Sequence, residues 1–154
     1  MSSTRRLFVR NAVQAMGGLA VASLVPAVAF AGCTSNTASF NFNHDGEVVL
    51  PDWKVGDCEL KQATLRVSGN FIILNGLVCT HHTHTKDVWH MKIEIITRPP
   101  NDPSQVIVIG SGTIDGPKMS ELDHPLFHPY NGRIGFNPQL AHGRGFAARV
   151  TSCC

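Results

Sequence analysis

Asp87-Val88-Trp89-His90-Met91-Lys92-Ile93-Glu94-Ile95-Ile96 is the stretch that decides the fold of this chain. Every second residue at its centre is apolar, at positions 89, 91, 93 and 95. Because successive side chains of a strand point to opposite faces, this period predicts a β-strand with one buried face. The sequence Arg98-Pro99-Pro100-Asn101-Asp102-Pro103 follows it and predicts a stiff loop that ends the strand.

The same two-residue period recurs on both sides of this strand. Residues 63–68 alternate between apolar and polar side chains, and so do residues 146–151. Residues 71–79 are largely apolar on both faces, which is typical of a strand at the centre of a sheet. No stretch after residue 31 has the period of an amphipathic helix. The sequence therefore predicts an all-β domain, an antiparallel β-sandwich or a small β-barrel of about six to eight strands.

The N-terminal segment has a different composition. Arg5 and Arg6 precede a mildly apolar run that ends in small residues at Ala31. This layout resembles a twin-arginine export signal, which predicts that residues 1–31 form a signal helix cleaved after Ala31. Expected partners during export are the twin-arginine translocase and signal peptidase. The run is too weakly apolar for a strong membrane span, so we expect no transmembrane span in the mature form.

The residues around the cleavage region are compatible with a mature protein that carries a lipid anchor and with one that does not. Phe30-Ala31-Gly32-Cys33 resembles a bacterial lipobox, in which Cys33 would carry the lipid. The mature protein is then either lipid-anchored on the outer side of the cytoplasmic membrane, or free in the periplasm or outside the cell. Residues 32–39 are small and polar and predict a flexible tether, followed by a single all-β domain over residues 40–154.

Removal of the leader changes the charge of the protein. Three of the 13 basic residues and none of the 11 acidic residues lie in residues 1–31. The basic residues that remain are scattered and do not form a stripe, so the sequence excludes nucleic acid as a partner. The 123 residues left are enough for one domain with its own core.

Five cysteines follow the predicted cleavage point, and an oxidising compartment favours disulfides between them. With Cys33 lipidated, the other four would pair in one of three ways; with Cys33 unmodified, one thiol would be left over. They are Cys58, Cys79, Cys153 and Cys154. A bond between the two neighbouring cysteines at the C-terminus would be strained, so we expect Cys58 to pair with one of them.

A resemblance to known proteins covers residues 40–96 and the chain end. Gly56-Asp57-Cys58 precedes an alternating strand, Asp87-Val88-Trp89 opens a later one, and a cysteine ends the chain. This arrangement resembles a group of small secreted bacterial domains of uncharacterised function. The resemblance implies a β-rich fold and a bridge from Cys58 to the C-terminus, and it implies no activity.

Histidines form the strongest candidate site in the sequence. Cys79-Thr80-His81-His82-Thr83-His84 would place the imidazoles of His82 and His84 on one face of a strand, about 6–7 Å apart at Cα. A third metal ligand would come from elsewhere in the chain: His90, Asp123, His124 or His128. Imidazole ligands suit Zn or Cu. The alternative is a polar connection between strands whose histidines are solvated.

No motif in the sequence indicates a catalytic nucleophile. A Gly-x-Ser-x-Gly elbow is absent. Asp123-His124 could orient an imidazole as a general base, but it is equally typical of a solvated proline-rich loop. The sequence thus predicts no catalytic residues and no required cofactor. The leading hypothesis is an exported, disulfide-braced β domain that binds an unknown envelope or extracellular ligand. The alternative is a metal-binding protein or metalloenzyme that uses the cluster from His81 to His84.

Overall fold

The computed structural model describes residues 35–81, 87–120 and 127–154. The predicted signal, with Arg5, Arg6 and Cys33, lies outside these residues, and so do His82, His84, Asp123 and His124. Nine strands and one short 3-10 helix form within the described ranges. They are β1 Ser35–Asn41, β2 Glu47–Val49, β3 Trp53–Val55, β4 Cys58–Ser68, β5 Phe71–Thr80, β6 Asp87–Thr97, β7 Ile107–Met119, β8 His128–Gly135, the 3-10 helix Pro138–Ala141 and β9 Phe146–Cys153.

The strands form two antiparallel sheets. Sheet 1 has the strand order β1-β9-β6-β7, and sheet 2 has the order β2-β4-β5-β8, with β3 also paired to β4. The all-β prediction is confirmed, and of the two predicted architectures the sandwich is the one that forms. The described residues contain one strand more than the upper end of the expected range, because the region before β4 forms two three-residue strands around Pro51.

The core lies between the two sheets. Asp87–Thr97 forms β6, and its alternate residues Trp89, Met91 and Ile93 are fully buried. From sheet 2, Leu60, Leu65 and Ile72 meet them with no exposed surface. The two-residue period therefore correctly identifies the buried faces of β4 and β6.

The predicted tether is wrong from residue 35 onwards. Ser35–Asn41 is an edge strand that pairs with β9 from Ser35 opposite Cys153 to Asn41 opposite Ala147. Small polar residues suggested a loop, but Thr37 Oγ1 is hydrogen-bonded to Thr151 Oγ1 at 2.9 Å, and Phe40 packs into the core. A strand partner distant in sequence thus satisfies the polar groups that made this segment resemble a linker.

A disulfide joins the two sheets. Cys58, the first residue of β4 in sheet 2, is bonded to Cys154, which directly follows β9 of sheet 1. The bridge spans 96 positions of the sequence. The predicted pairing of Cys58 with one of the two C-terminal cysteines is confirmed. The domain is therefore a disulfide-braced β-sandwich.

The structure also bears on membrane association. Within residues 35–81, 87–120 and 127–154, the chain forms no helix with the length and apolarity that a membrane crossing requires.

Candidate functional site

A β-bulge in β4 decides which side chains reach the outer face of sheet 2. The pairing of β4 with β5 shifts by one residue between Lys61 and Thr64, and Gln62 adopts a left-handed backbone conformation there (φ 52°). A one-residue shift moves side chains to the opposite face of a strand. Glu59 is consequently opposite Cys79, and both are directed away from the core.

His81 joins this pair from the end of β5. It lies two residues beyond Cys79, and side chains two apart along an extended chain share a face. The backbone N–H of His81 donates to the carbonyl oxygen of Asp57 at 2.7 Å, which ties the residue to the start of β4. We call these three residues the Glu59–Cys79–His81 cluster.

The functional atoms of the cluster converge. His81 Nε2 is 3.0 Å from Glu59 Oε2 and 3.9 Å from Cys79 Sγ. One carboxylate oxygen, the thiol sulfur and one imidazole nitrogen all lie within 4.8 Å of one another. Lys61 Nζ lies 3.3 Å from the other carboxylate oxygen, Glu59 Oε1, and so leaves Oε2 directed towards the histidine.

The three residues differ in exposure, and two of them have perturbed ionisation. Cys79 is buried, whereas half of the His81 side chain is exposed. The hydrogen bond from His81 lowers the pKa of the Glu59 carboxyl; burial opposes this and Lys61 reinforces it. Burial raises the pKa of the Cys79 thiol, and the negative charge of Glu59 adds to the effect. At neutral pH the cluster therefore combines a carboxylate with a protonated thiol.

This geometry does not suit a catalytic cysteine. In a Cys–His–acid relay, one imidazole nitrogen faces the thiol and the other faces the acid. Here the same nitrogen, His81 Nε2, faces both Glu59 and Cys79, and the thiol pKa is raised instead of lowered. The convergence of oxygen, nitrogen and sulfur on one point is instead typical of a metal-ligand set.

The other predicted histidine ligands lie elsewhere. His90 is on the outer face of sheet 1, where its Nδ1 is 2.6 Å from Asp115 Oδ1. His128 begins β8 in phase with the buried Tyr130, which directs it to the inner side of sheet 2. The sequence predicts His90 or His128 as a third ligand to His82 and His84; neither of the two lies beside the Glu59–Cys79–His81 cluster, because each is on another surface. The predicted ligands His82 and His84 lie outside the described residues, so their site stays a prediction.

The cysteines are only partly as expected. Cys154 is bonded to Cys58, and Cys153 is also disulfide-bonded. The prediction of a bridge at Cys79 is wrong, because Cys79 is a buried free thiol. It faces outward from sheet 2, whereas the neighbouring Cys58 faces the inner side.

Sequence reasoning missed Glu59 and Cys79 as partners of His81. The spacing Cys79-x-His81 on a strand was available as a signal, since Val78 and Thr80 take the inner face. The position of Glu59 was not, because it depends on the bulge at Gln62. Comparison with known proteins finds no matching family model, no matching curated protein and no matching solved structure.

Proposed function

We propose that this chain is an exported, disulfide-braced β-sandwich domain that binds a transition metal ion, zinc or copper, at the Glu59–Cys79–His81 cluster. The observation that carries the proposal is the approach of three different ligand atoms to within 4.8 Å of one another on a sheet face. A site on strands holds its ligands more precisely than a site on loops does.

The ligand types favour zinc. Zinc is bound by cysteine sulfur, histidine nitrogen and carboxylate oxygen, and three protein ligands leave one position for water or another ligand. Copper(I) also favours the thiolate and the imidazole. Binding would displace the proton of the Cys79 thiol, so affinity is expected to rise with pH.

His82 and His84 remain part of the proposal. Both lie within three residues of His81 in the sequence, and the strand spacing of their imidazoles is the reason for predicting them as ligands. We propose that one of them supplies a further ligand to the same ion.

Export is supported by two features. The leader resembles a twin-arginine signal, and a disulfide such as Cys58–Cys154 is favoured in an oxidising compartment. We propose that the protein acts beyond the cytoplasmic membrane, as a free or lipid-anchored domain.

A second candidate function is the binding of a protein or glycan without metal. It is favoured by Phe71, which is 41% exposed on the outer face of sheet 2, with the Arg133 guanidinium 4.7 Å from its ring centre. Exposed aromatic and arginine side chains are enriched where proteins bind partners. This surface would serve a partner in the cell envelope or outside the cell.

Metal analysis of the untagged, disulfide-oxidised protein tests the first proposal. We expect one zinc or copper ion per chain and a lower melting temperature after chelation. The substitutions Cys79→Ser, His81→Ala and Glu59→Gln should each weaken binding by at least about tenfold. His44→Ala, which changes an exposed histidine outside the cluster, should leave binding unchanged.

Two outcomes would contradict the proposal. A protein that binds no metal and melts identically with and without chelator leaves only the metal-free candidate. A protein that loses its metal on changing His82 and His84 to Ala, but keeps it in Cys79→Ser, has a site outside the cluster.

A further inference from the structure

A second group of ligand atoms lies around the disulfide. The sulfur atoms of Cys58 and Cys154 and a carboxylate oxygen of Asp87 lie within 4.8 Å of one another. Asp87 begins β6, the first strand after residues 82–86, and the Thr80 hydroxyl donates to its Oδ2 at 2.7 Å. Cys58 faces the inner side of sheet 2 and is fully buried, so this group is distinct from the Glu59–Cys79–His81 cluster on the outer face.

The backbone holds these residues independently of the bridge. Cys58 is paired with Val55 on one side and with Thr80 on the other. Asp87 is paired with Met119, and Cys154 directly follows the β9 strand that pairs with both β1 and β6. Breaking the sulfur–sulfur bond therefore removes no ladder hydrogen bond that positions the three side chains.

We propose that reduction of the Cys58–Cys154 bond converts this group into a second metal site, at which two thiolates and the Asp87 carboxylate hold zinc or a similar divalent transition-metal ion. The disulfide and the ion would then be alternative occupants of one place. A dithiol reductant supplies two electrons and two protons to the two sulfurs and is itself oxidised to a cyclic disulfide. When the ion binds, both thiols release their protons to solvent.

The dimensions of the group permit both states. The two Cα atoms are 5.8 Å apart. Zinc–sulfur bonds of about 2.3 Å at a tetrahedral angle place two thiolates less than about 4 Å apart, which side-chain rotation can reach from this separation. The hydrogen bond from Thr80 orients the Asp87 carboxylate, as hydrogen bonds to ligating carboxylates commonly do.

The two sheets would then be cross-linked in either redox state, by the disulfide or by the bound ion. In a reducing compartment, an ion held by Cys58, Cys154 and Asp87 would connect the start of β4 to the chain end, as the disulfide does after oxidation. Binding of an ion to the folded state alone would stabilise that state by mass action.

The test uses the full chain with Cys33→Ser, Cys79→Ser and Cys153→Ser, which leaves Cys58 and Cys154 as its only cysteines. Cobalt(II) serves as the probe because its thiolate complexes absorb light by charge transfer. A phosphine reductant opens the bridge and is oxidised to the phosphine oxide. We expect the reduced protein to bind a cobalt ion with thiolate absorption and the oxidised protein to show no such absorption.

Asp87→Asn in the same variant distinguishes a three-ligand site from metal binding by the two thiolates alone. We expect at least about tenfold weaker binding with Asp87→Asn and retention of the β circular dichroism spectrum in the zinc-loaded reduced protein. Absence of thiolate absorption after reduction, or equal affinity with and without Asp87→Asn, would overturn the proposal. Neither result affects the first site, which is tested in oxidised protein that retains Cys79.

Discussion

At Cys79, the environment of a single residue suppresses the usual reactivity of a thiol. Burial raises its pKa, and the nearby Glu59 carboxylate adds repulsion against the thiolate. The thiolate is the reactive form, so a raised pKa slows both oxidation and alkylation. This explains how a free thiol can persist in a chain that also carries a disulfide.

Alkylation kinetics test this account of Cys79. In native protein, we expect the thiol to react with iodoacetamide at least about tenfold more slowly than an exposed cysteine at pH 7.5. The rate should continue to rise above pH 9, because the pKa is raised. Glu59→Gln removes the negative charge and should increase the rate at neutral pH. A native-state rate equal to that in denaturant would contradict the burial and the raised pKa together.

Glu94 on β6 is a second residue whose charge state matters. Its Oε2 accepts from Arg149 Nε at 2.7 Å, and its Oε1 lies 3.3 Å from Lys92 Nζ. Burial alone would raise the pKa of this carboxyl, but the hydrogen bond and charge of Arg149, assisted by Lys92, lower it. A carboxyl with a lowered folded-state pKa stabilises the fold above its unfolded pKa, and that contribution is lost as the pH falls through the folded pKa.

We therefore expect Glu94→Gln to destabilise the domain by about 1–2 kcal/mol at pH 7. The difference from wild type should shrink as the pH falls from the unfolded pKa of about 4.3 through the lowered folded pKa, below which both proteins carry a neutral side chain. Urea unfolding at several pH values measures it. Glu47→Gln on β2 is the control, with an expected change within about 0.5 kcal/mol. A deficit that does not change with pH would show that packing, and not charge, explains the effect.

Among the strands, β4 depends on its bulge to place Glu59 on the outer face of sheet 2. Without the one-residue shift, continuous pairing from Leu65 opposite Leu74 would bring Glu59 opposite Thr80, on the inner face. The shift leaves Ala63 and Leu65 in the core while turning Glu59 outward towards Cys79. A bulge that re-aims a side chain is common beside functional sites.

The contact between β7 and β8 closes one side of the sandwich. Gly110 on β7 forms an isolated bridge to Phe136 just after β8. A Cβ atom added at Gly110 would lie 2.6 Å from Phe136 Cα and 2.7 Å from Gly135 O. Both are backbone atoms that cannot move aside without separating the two sheets, so the absence of a side chain at Gly110 allows the two strands to meet.

Gly110→Ala should accordingly destabilise the domain by about 2–4 kcal/mol. The matched control is Gly135→Ala, because an added Cβ there meets no atom within 4 Å. We expect the control to stay within about 0.5 kcal/mol of wild type in urea unfolding. Similar losses in both variants would show that β-strand glycines matter here for a reason other than close approach.

For the whole molecule, the Cys58–Cys154 bridge is a long-range constraint. It closes a loop of 96 positions. It connects the sheets at the start of β4, the end of that strand that is far from the turn to β5. Cross-links that close long loops restrict the unfolded chain most. The bridge is therefore expected to stabilise the fold chiefly through the unfolded state.

Replacing both cysteines in Cys58→Ser/Cys154→Ser should lower the free energy of unfolding by about 4.7 kcal/mol in the chain-entropy account. Thermal melting of the variant in metal-free buffer measures the loss. Reductant should lower the melting temperature of the wild-type protein more than that of the variant. An unchanged melting temperature in the variant would mean that the sheets hold together without help from the bridge.

Much of the fold could be predicted from local pattern, and the site could not. The alternation along β6 identifies both the strand and its buried face, because side-chain period is a local property of an extended chain. The predicted tether is wrong at residues 35–39 because only the pairing with β9 distinguishes an edge strand of small polar residues from a loop. His90 and His128 do not join the Glu59–Cys79–His81 cluster, because the sheet face on which a residue lies depends on the partners of its strand.

The sequence by itself determined that this chain forms strands with one apolar face, and that Cys58 pairs near the chain end. Hydrophobic burial acts on each strand through its own period, so the buried faces need no knowledge of the partner strands. The cysteine pairing follows instead from the strain of a bond between two neighbouring cysteines. Only the tertiary structure decided that Glu59, Cys79 and His81 meet. Their meeting depends on the register between β4 and β5, which the bulge at Gln62 sets. That register depends on pairing between strands, and the alternation of residues along one strand does not reveal it.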